Sequence, residues 1–256
     1  MTPPPGQTPS QAPGPDLGPA AHLAPPRSDT VRPPATRLLR AGRPAARRLI
    51  RLAYDVRVHH AERFPATGPA VVAANHVGFV DGPLMAIFAP RPVHALTKVE
   101  MFTGPLGALL RAAGQIPLDR RHTDPGAVRT ALRVLRDGGA VGVFPEGTRG
   151  EGNFEVFHSG AAYLALVSGA PVVPLTFLGT RETGGSSGSL PARGARIDVV
   201  VGHPVPVDAV GWPRTRDHVR LTSAALRAHL RSGLADALDE TGRSLPGPLP
   251  QGDRDD

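Results

Sequence analysis

From Pro65 onward, short apolar runs alternate with stretches in which apolar residues recur at helical spacing. Unbroken apolar runs of this length are typical of strands that are buried on both faces. Because two parallel strands must be joined by a crossover, alternation of strand and helix predicts a largely parallel sheet covered by helices. We therefore expect an α/β fold with a central, largely parallel mixed β-sheet. The predicted strands are 70–74, 93–97, 116–118, 140–144, 172–178 and 197–201, and the predicted helices are 82–89, 105–113, 125–136, 160–168 and 219–238.

The first of these strands is followed at once by a histidine and an aspartate, His76 and Asp81, with a helix predicted just after them. Ligands of open α/β sheets bind outside the carboxyl ends of the strands, which is where these two side chains fall. An imidazole there can act as a general base while a carboxylate fixes its tautomer. Taken alone, the pair is weak evidence, because polar residues of a loop are commonly just solvated.

Composition restricts the chemistry that is available to this chain. Its 256 residues, 40% of them hydrophobic, suffice for one domain with appended tails, and the absence of Cys excludes disulfides, thiolate metal sites and a cysteine nucleophile. No apolar run approaches the ~18 residues of a membrane span, and the first 30 residues lack the apolar segment of a signal peptide. We therefore expect a cytoplasmic protein. The net charge of +7 indicates an anionic partner, which could be nucleic acid, anionic lipid or a phosphorylated substrate.

The chain divides into four parts by composition. We predict a disordered Pro-rich tail at 1–34, a basic amphipathic helical segment at 35–64, one catalytic domain at 65–240 and a second disordered tail at 241–256. The basic segment can lie on an anionic membrane, or it can pack its apolar stripe on the domain and leave its charges in water. Both arrangements can occur in the same protein. The segment has only two acidic residues, Asp55 and Glu62, against eight arginines: Arg37, Arg40, Arg43, Arg47, Arg48, Arg51, Arg57 and Arg63.

Further polar side chains end the other predicted strands or lie just beyond them. A guanidinium can bind two oxygens of a phosphate monoester and an ammonium offers a compact charge, so cations gathered beside the histidine would suit a phosphorylated substrate. A carboxylate among them could accept from a substrate hydroxyl or hold an arginine in place. Separately, each could be a polar turn or a surface ion pair. These residues are Lys98, Arg120, Glu146, Thr148 and Arg149.

The same residues fall into four motifs that resemble those of the glycerolipid acyltransferases. Asn75-His76 with Asp81 resembles the Asn-His-x4-Asp motif of that family, and Gly114-x-Ile116-x-x-Asp119-Arg120 resembles its second motif. Phe144-Pro145-Glu146-Gly147-Thr148-Arg149 is similar to the third, and Val172-Val173-Pro174 to the fourth. All four occur in the family's order within about residues 65–180. The resemblance implies the family's fold and an acyltransferase activity.

The resemblance also implies roles for individual residues. His76 would act as the general base, oriented by Asp81, in direct transfer of an acyl group without a covalent acyl-enzyme. Asn75, Lys98, Arg120, Glu146, Gly147, Thr148 and Arg149 would bind the acceptor, with the three cations on its phosphate. Val173 and Pro174 would form a wall of the acyl site. The co-substrate would be acyl-CoA or acyl carrier protein, with no further cofactor, and no His, Asp or Glu cluster has the spacing of a zinc site, so we predict no metal.

The sequence departs from the family pattern after the third motif, where Phe157-His158-Ser159-Gly160 replaces a Phe-Lys-x-Gly run. The departure removes a cation, and it affects the expected identity of the acceptor more than the expected type of reaction. The leading hypothesis is transfer to 1-acylglycerol-3-phosphate, giving phosphatidic acid, by an enzyme peripheral to the inner face of the cell membrane. Another lysophospholipid or glycolipid acceptor is the alternative within the class. A noncatalytic binder of anionic lipid or nucleic acid is the alternative outside it. We expect an anionic membrane surface, and not nucleic acid, as partner.

Overall fold

A computed structural model describes residues 28–253. Most of the Pro-rich tail predicted at 1–34, and the last three residues of the tail predicted at 241–256, lie outside that range. The strands form one seven-stranded sheet in the order β1-β7-β6-β2-β5-β3-β4, in which the neighbours run parallel except β6 and β7. The expected largely parallel mixed sheet is thus confirmed. The strands are β1 Asp55–His59, β2 Ala70–Ala74, β3 Val93–Lys98, β4 Ile116–Leu118, β5 Ala140–Val143, β6 Val172–Leu178 and β7 Arg196–Val201.

Helices cover both faces of the sheet, and the strand side chains alternate between them. In β2, Val71 and Ala73 pack in a core cluster with α5, α6 and α7, whereas Ala70 and Val72 pack in a second cluster with α3. All five residues of β2 are buried, which explains why its sequence is uniformly apolar. The helices are α1 Arg37–Ala41, α2 Arg43–Arg51, α3 Asp81–Phe88, α4 Gly104–Ala112, α5 Pro125–Arg136, α6 Gly160–Ser168 and α7 Arg216–Thr241.

The elements predicted after residue 65 are all present, most of them with ends shifted by no more than one residue and the last helix longer by three residues at each end. The prediction for 35–64 is wrong in part, because its helical structure ends at Arg51 apart from a short 3-10 turn and residues Asp55–His59 form the edge strand β1. In β1, Val56 is buried while Asp55 and Arg57 are exposed. This alternation is the period-two pattern of a half-covered edge strand.

The N-terminal helices pack on α3 in a way that departs in part from the expected arrangement. Arg43 is buried and Arg47 is half-buried, and both donate to the carbonyl oxygens of Ile87 and Ala89 at the carboxyl end of α3. Cations at this end of a helix satisfy its unpaired carbonyls and complement its dipole. In contrast, Leu49 of the predicted apolar stripe is 69% exposed. Two arginines therefore face the protein, and part of the stripe faces away from it.

The segment after α7 was expected to have no packed structure. Residues 242–253 contain no further helix or strand, but they lie against the loop that follows β6, where the carbonyl of Gly247 accepts a hydrogen bond from Arg181. Among residues 28–253, no helix combines the length and the apolar character that crossing a lipid bilayer requires.

Candidate active site

Five parallel strands end at one edge of the sheet, and the residues of the first three motifs follow those ends. Asn75 and His76 follow β2, Asp119 and Arg120 follow β4, and the turn of residues 144–149 follows β5. Lys98 is the last residue of β3. The topology thus gathers segments that are about 70 residues apart in the sequence, as expected for ligand sites of open parallel sheets.

His76 and Asp81 form a hydrogen-bonded pair at this edge. The Nδ1 atom of His76 lies 2.9 Å from Oδ2 of Asp81, a contact that assigns the proton to Nδ1 when the imidazole is neutral. The Nε2 atom then carries a lone pair, and His76 lines the large cavity at this edge. The geometry is that of a general base whose tautomer is fixed by a carboxylate.

Asp81 is itself held by the loop that it orients. It is fully buried as the first residue of α3, and its Oδ2 also accepts from the backbone N–H groups of Val77 and Gly78, each at 2.8 Å. Gly78 has no room for a side chain, because a Cβ there would stand 2.4 Å from the carbonyl oxygen of Thr180. The loop of residues 75–81, hereafter the His76 loop, is therefore fixed by its own carboxylate and by close packing.

The ring of His76 is stacked on that of Phe144, with centroids 4.0 Å apart and planes 19° apart. Phe144 directly follows β5, the neighbour of β2 in the sheet. The stack covers one face of the imidazole, and the bond to Asp81 fixes its rotation in the plane. Sequence reasoning placed Phe144 in the third motif without giving it a role, and nothing in its spacing indicates the stack.

Glu146 does not line the cavity but lies buried behind the His76 loop. Its Oε1 accepts from the backbone N–H of His76 at 3.1 Å. Burial raises the pKa of Glu146 to about 8, the charge of Asp81 adds to the rise, and hydrogen bonds from the N–H groups of His76 and Gly152 oppose it. The side chain joins two segments of the site and lies outside the lining of the cavity, where its predicted role in acceptor binding would place it.

Asn75 is also directed into the protein. Its fully buried amide donates to the carbonyl oxygen of Phe177 at 3.0 Å and accepts from the N–H of Phe177 at 2.7 Å. Both bonds join the end of β2 to β6. Asn75 therefore anchors the His76 loop to the sheet and makes no approach to the cavity, whose lining does not include it.

The cavity at this edge has a volume of about 1720 Å³ and is lined by His76 and by the three predicted cations. Arg120 donates to the carbonyl oxygen of Gly147 at 2.6 Å, and Arg149 donates to that of Ser187 at 2.9 Å. Both bonds orient a guanidinium through an uncharged main-chain oxygen. The third cation, Lys98, lines the cavity too, as do Gly147 and Thr148, which were also predicted to bind the acceptor.

Apolar side chains of the N-terminal helices and of α4 form much of the rest of the lining. Val173 and Pro174, which were predicted to form a wall of the acyl site, are buried within β6 and do not line the cavity. An acyl chain in this cavity would instead contact side chains whose helical segments gave no sequence signal for that role. They include Leu38, Leu39, Ile87, Leu106, Leu109 and Leu110.

Two further residues lie at the site to which the sequence analysis assigned no role. His158 lines the cavity beside Gly147, which adopts a φ of +75° and would bring a Cβ within 2.8 Å of the imidazole. Arg181 is buried behind the His76 loop and donates to the carbonyl oxygen of Val77 at 2.9 Å. A lone arginine after an apolar strand carries no motif that could have revealed it. Within the described range, no three or more His, Asp or Glu side chains are grouped to hold a metal ion.

Comparison with known proteins agrees with this geometry. A family model described as Acyltransferase matches residues 55–178, which run from β1 to the end of β6. A 1-acyl-sn-glycerol-3-phosphate acyltransferase of Bacillus subtilis is 26% identical over 194 residues, covering 75% of this chain and 94% of that protein. Proteins with the same name from Borreliella burgdorferi and, as an alpha form, from sheep are 31% and 32% identical. This chain spans 50% and 63% of their lengths.

Among solved structures, the crystal structure of the 1-acyl-sn-glycerophosphate acyltransferase PlsC from Thermotoga maritima superposes with a TM-score of 0.58. The match covers 79% of both chains at 23% sequence identity and shows a shared fold. Four motifs in the family order, three of them at the carboxyl edge of the sheet, accompany the family match and the common fold. The family match over residues 55–178, the names of the relatives and the shared fold together support the glycerolipid acyltransferase family for this chain.

Proposed function

We propose that the protein is a 1-acylglycerol-3-phosphate O-acyltransferase, which transfers a fatty acyl group from acyl-CoA or acyl carrier protein to the free hydroxyl of the acceptor and forms phosphatidic acid. The observation that carries the proposal is the His76–Asp81 pair, which opens with Lys98, Arg120 and Arg149 into one largely apolar cavity. Cations suit the phosphate and the apolar lining suits an acyl chain. The names of the relatives point to the same acceptor.

The reaction requires one proton to be moved twice. Nε2 of His76 takes the proton of the acceptor hydroxyl as that oxygen bonds to the thioester carbonyl carbon. The carbon–sulfur bond then breaks, and the imidazolium returns the proton to the leaving thiolate. Asp81 stabilises the imidazolium between the two steps. No acyl group becomes attached to the protein.

The other residues bind and orient. Lys98, Arg120 and Arg149 hold the phosphate of the acceptor, while Gly147 and Thr148 shape the site of its glycerol. Phe144 holds the plane of the imidazole. Because the hydroxyl must lie within hydrogen-bond reach of Nε2, a phosphate held by three cations gives the acceptor one productive orientation.

We further propose that the enzyme works at the surface of an anionic membrane, on its inner face. Leu38, Leu49 and Leu52 are exposed on and just beyond α1 and α2, among exposed arginines of the same helices. Leu38 also lines the cavity. A lipid acceptor could therefore pass from the surface into the cavity along apolar side chains, while the arginines attract anionic headgroups.

The test is release of free CoA from an acyl-CoA in the presence of lysophosphatidic acid. A thiol reagent reports the released CoA without a contribution from protein thiols, because the chain has no Cys. His76→Ala should lower turnover about a thousandfold, and the exposed His218→Ala should not change it. Wild-type turnover by His76→Ala would refute the mechanism. Turnover only with another lysophospholipid or a glycolipid would refute the acceptor, and substitution of an acyl carrier protein thioester would identify the donor.

A further inference from the structure

The guanidinium of Arg181 joins four separate segments of the chain. It lies in the loop after β6, is only 3% exposed, and donates hydrogen bonds to four main-chain carbonyl oxygens. Nε donates to Val77 at 2.9 Å and Nη1 donates to Gly185 at 2.9 Å. Nη2 donates to Gly150 at 2.9 Å and to Gly247 at 2.6 Å. These bonds offset the cost of burying the cation.

Two of these carbonyls belong to the active site. Val77 follows the general base, and its own N–H donates to Asp81. Gly150 follows Arg149, and its N–H donates to the carbonyl oxygen of His76 at 2.9 Å. The same guanidinium therefore ties the His76 loop to the turn that carries a cation of the acceptor site.

The C-terminal segment is also connected to Arg149, through a second set of hydrogen bonds. The carboxylate of Asp253 accepts from the N–H of Ser187 at 2.5 Å and from its hydroxyl at 3.1 Å. The carbonyl oxygen of Ser187 in turn accepts from Nη1 of Arg149 at 2.9 Å. Asp253, Ser187 and Arg149 thus form a continuous line of hydrogen bonds that ends in the cavity.

We propose that Arg181 and Asp253 are positioning residues of the acceptor site, Arg181 by fixing the His76 loop and Asp253 by directing Arg149 through Ser187. The inference rests on the proposed function, because it assigns Arg149 to the acceptor phosphate. A guanidinium has donors in a planar fork that match carbonyls in several directions, which a lysine ammonium does not reproduce. The carbonyl of Ser187 orients Arg149 through an uncharged oxygen.

Steady-state kinetics separate the two residues. Asp253→Ala should raise the KM for lysophosphatidic acid roughly tenfold, because a guanidinium displaced by about 1 Å binds the phosphate poorly. The kcat and the KM for acyl-CoA should stay near wild type. Arg181→Lys should lower kcat as well, since it loosens the His76 loop. Asp236→Ala removes an exposed carboxylate of α7 and serves as the matched control.

A double-mutant cycle tests the route through Arg149. In an Arg149→Ala background, Asp253→Ala should cause no further rise in the KM for lysophosphatidic acid, because the residue on which it acts is gone. Independent, additive effects of the two substitutions on that KM would overturn the proposal. A loss of folded protein would instead lower the apparent kcat and leave both KM values unchanged.

Amide hydrogen exchange tests the contacts without reference to activity. Asp253→Ala should increase exchange in peptides that cover residues 184–190, and Arg181→Lys should increase it also in the His76 loop. Asp236→Ala should change neither. Unchanged exchange in the first two variants would refute the positioning role. A wild-type protein that is inactive towards lysophosphatidic acid, but whose variants exchange as expected, would refute only the proposed acceptor.

Discussion

Glu146 accepts a hydrogen bond from the backbone N–H of His76 at 3.1 Å, across a separation of 70 residues in the sequence. The bond joins the turn after β5 to the loop after β2. Because burial raises the pKa of Glu146 to about 8, the carboxyl group is mostly protonated at neutral pH. A neutral carboxyl can still accept from the N–H of His76, and it spares the site a second buried negative charge beside Asp81.

This raised pKa makes the free energy of unfolding depend on pH. Between the ordinary value of 4.5 and about 8, the folded state holds a proton that the unfolded state releases, so stability should fall as the pH rises through that window. The loss should reach a few kcal/mol, at about 1.4 kcal/mol per unit of pKa shift. Glu146→Gln keeps the acceptor oxygen but cannot ionise, so its stability should decline less over the same range.

Denaturant unfolding at pH 5.5 and 8.5 measures this difference. The exposed Glu155→Gln removes a carboxylate from the same stretch of chain and should leave the pH dependence of the wild type unchanged. If the wild type and Glu146→Gln lose stability equally between the two pH values, Glu146 does not titrate in the way that its burial implies.

Asp81→Asn should separate charge from geometry at the base. Oδ2 of Asp81 accepts from His76, Val77 and Gly78, whereas the buried Oδ1 contacts no hydrogen-bond partner among residues 28–253. An asparagine can place its carbonyl oxygen at the Oδ2 position and keep the loop and the tautomer. It cannot stabilise the imidazolium, so kcat should fall at least about a hundredfold.

The readout for Asp81→Asn is CoA release together with thermal unfolding. We expect the KM for lysophosphatidic acid to stay within a few-fold of wild type, because the cations of the cavity are untouched. A kcat near wild type, with the fold intact, would mean that the negative charge of Asp81 plays no part in the transfer.

Phe144→Leu should disturb the imidazole without removing it. The stacked ring contributes an interaction of about 0.5 to 1.5 kcal/mol, which corresponds to roughly a two- to tenfold loss if it holds the imidazole in its reactive orientation. We expect this loss in kcat rather than in either KM. Phe144→Tyr keeps the stacked ring and should restore most of kcat. Equal losses in the leucine and tyrosine variants would argue that ring stacking is not what matters at this position.

The sequence predicted the elements and the placement of the chemistry better than it predicted individual contacts. Unbroken apolar runs identified β2 and β6 because strands buried on both faces have a uniform composition. Strand β1 was missed because only Val56 among its five residues is buried, and that valine also fitted the helical spacing of the basic segment. An edge strand with exposed charges carries little apolar signal.

The orientations of the side chains could not be predicted from the sequence. Residue type and spacing placed Asn75 and Glu146 at the site, but both are turned into the protein, because burial depends on segments far away in the chain. Arg181 and Asp253 were overlooked for the same reason. Most of their hydrogen-bond partners are main-chain atoms of distant loops, and the residue type of a partner does not reveal a bond to its main chain.

The basic N-terminal helices should bind membranes through only some of their arginines. Arg37 and Arg48 are exposed, whereas burial and the nearby Arg47 lower the pKa of Arg43 to about 10. If each exposed arginine adds about 1 kcal/mol of attraction, replacing Arg37 and Arg48 together by alanine should weaken binding to anionic liposomes roughly tenfold or more at low salt and leave thermal unfolding unchanged. Arg43→Ala should instead lower the unfolding temperature, since it removes hydrogen bonds to the end of α3. Cosedimentation with anionic and neutral liposomes at two salt concentrations measures the binding, and equal, salt-independent binding to both would show that the exposed arginines do not attach the protein to lipid.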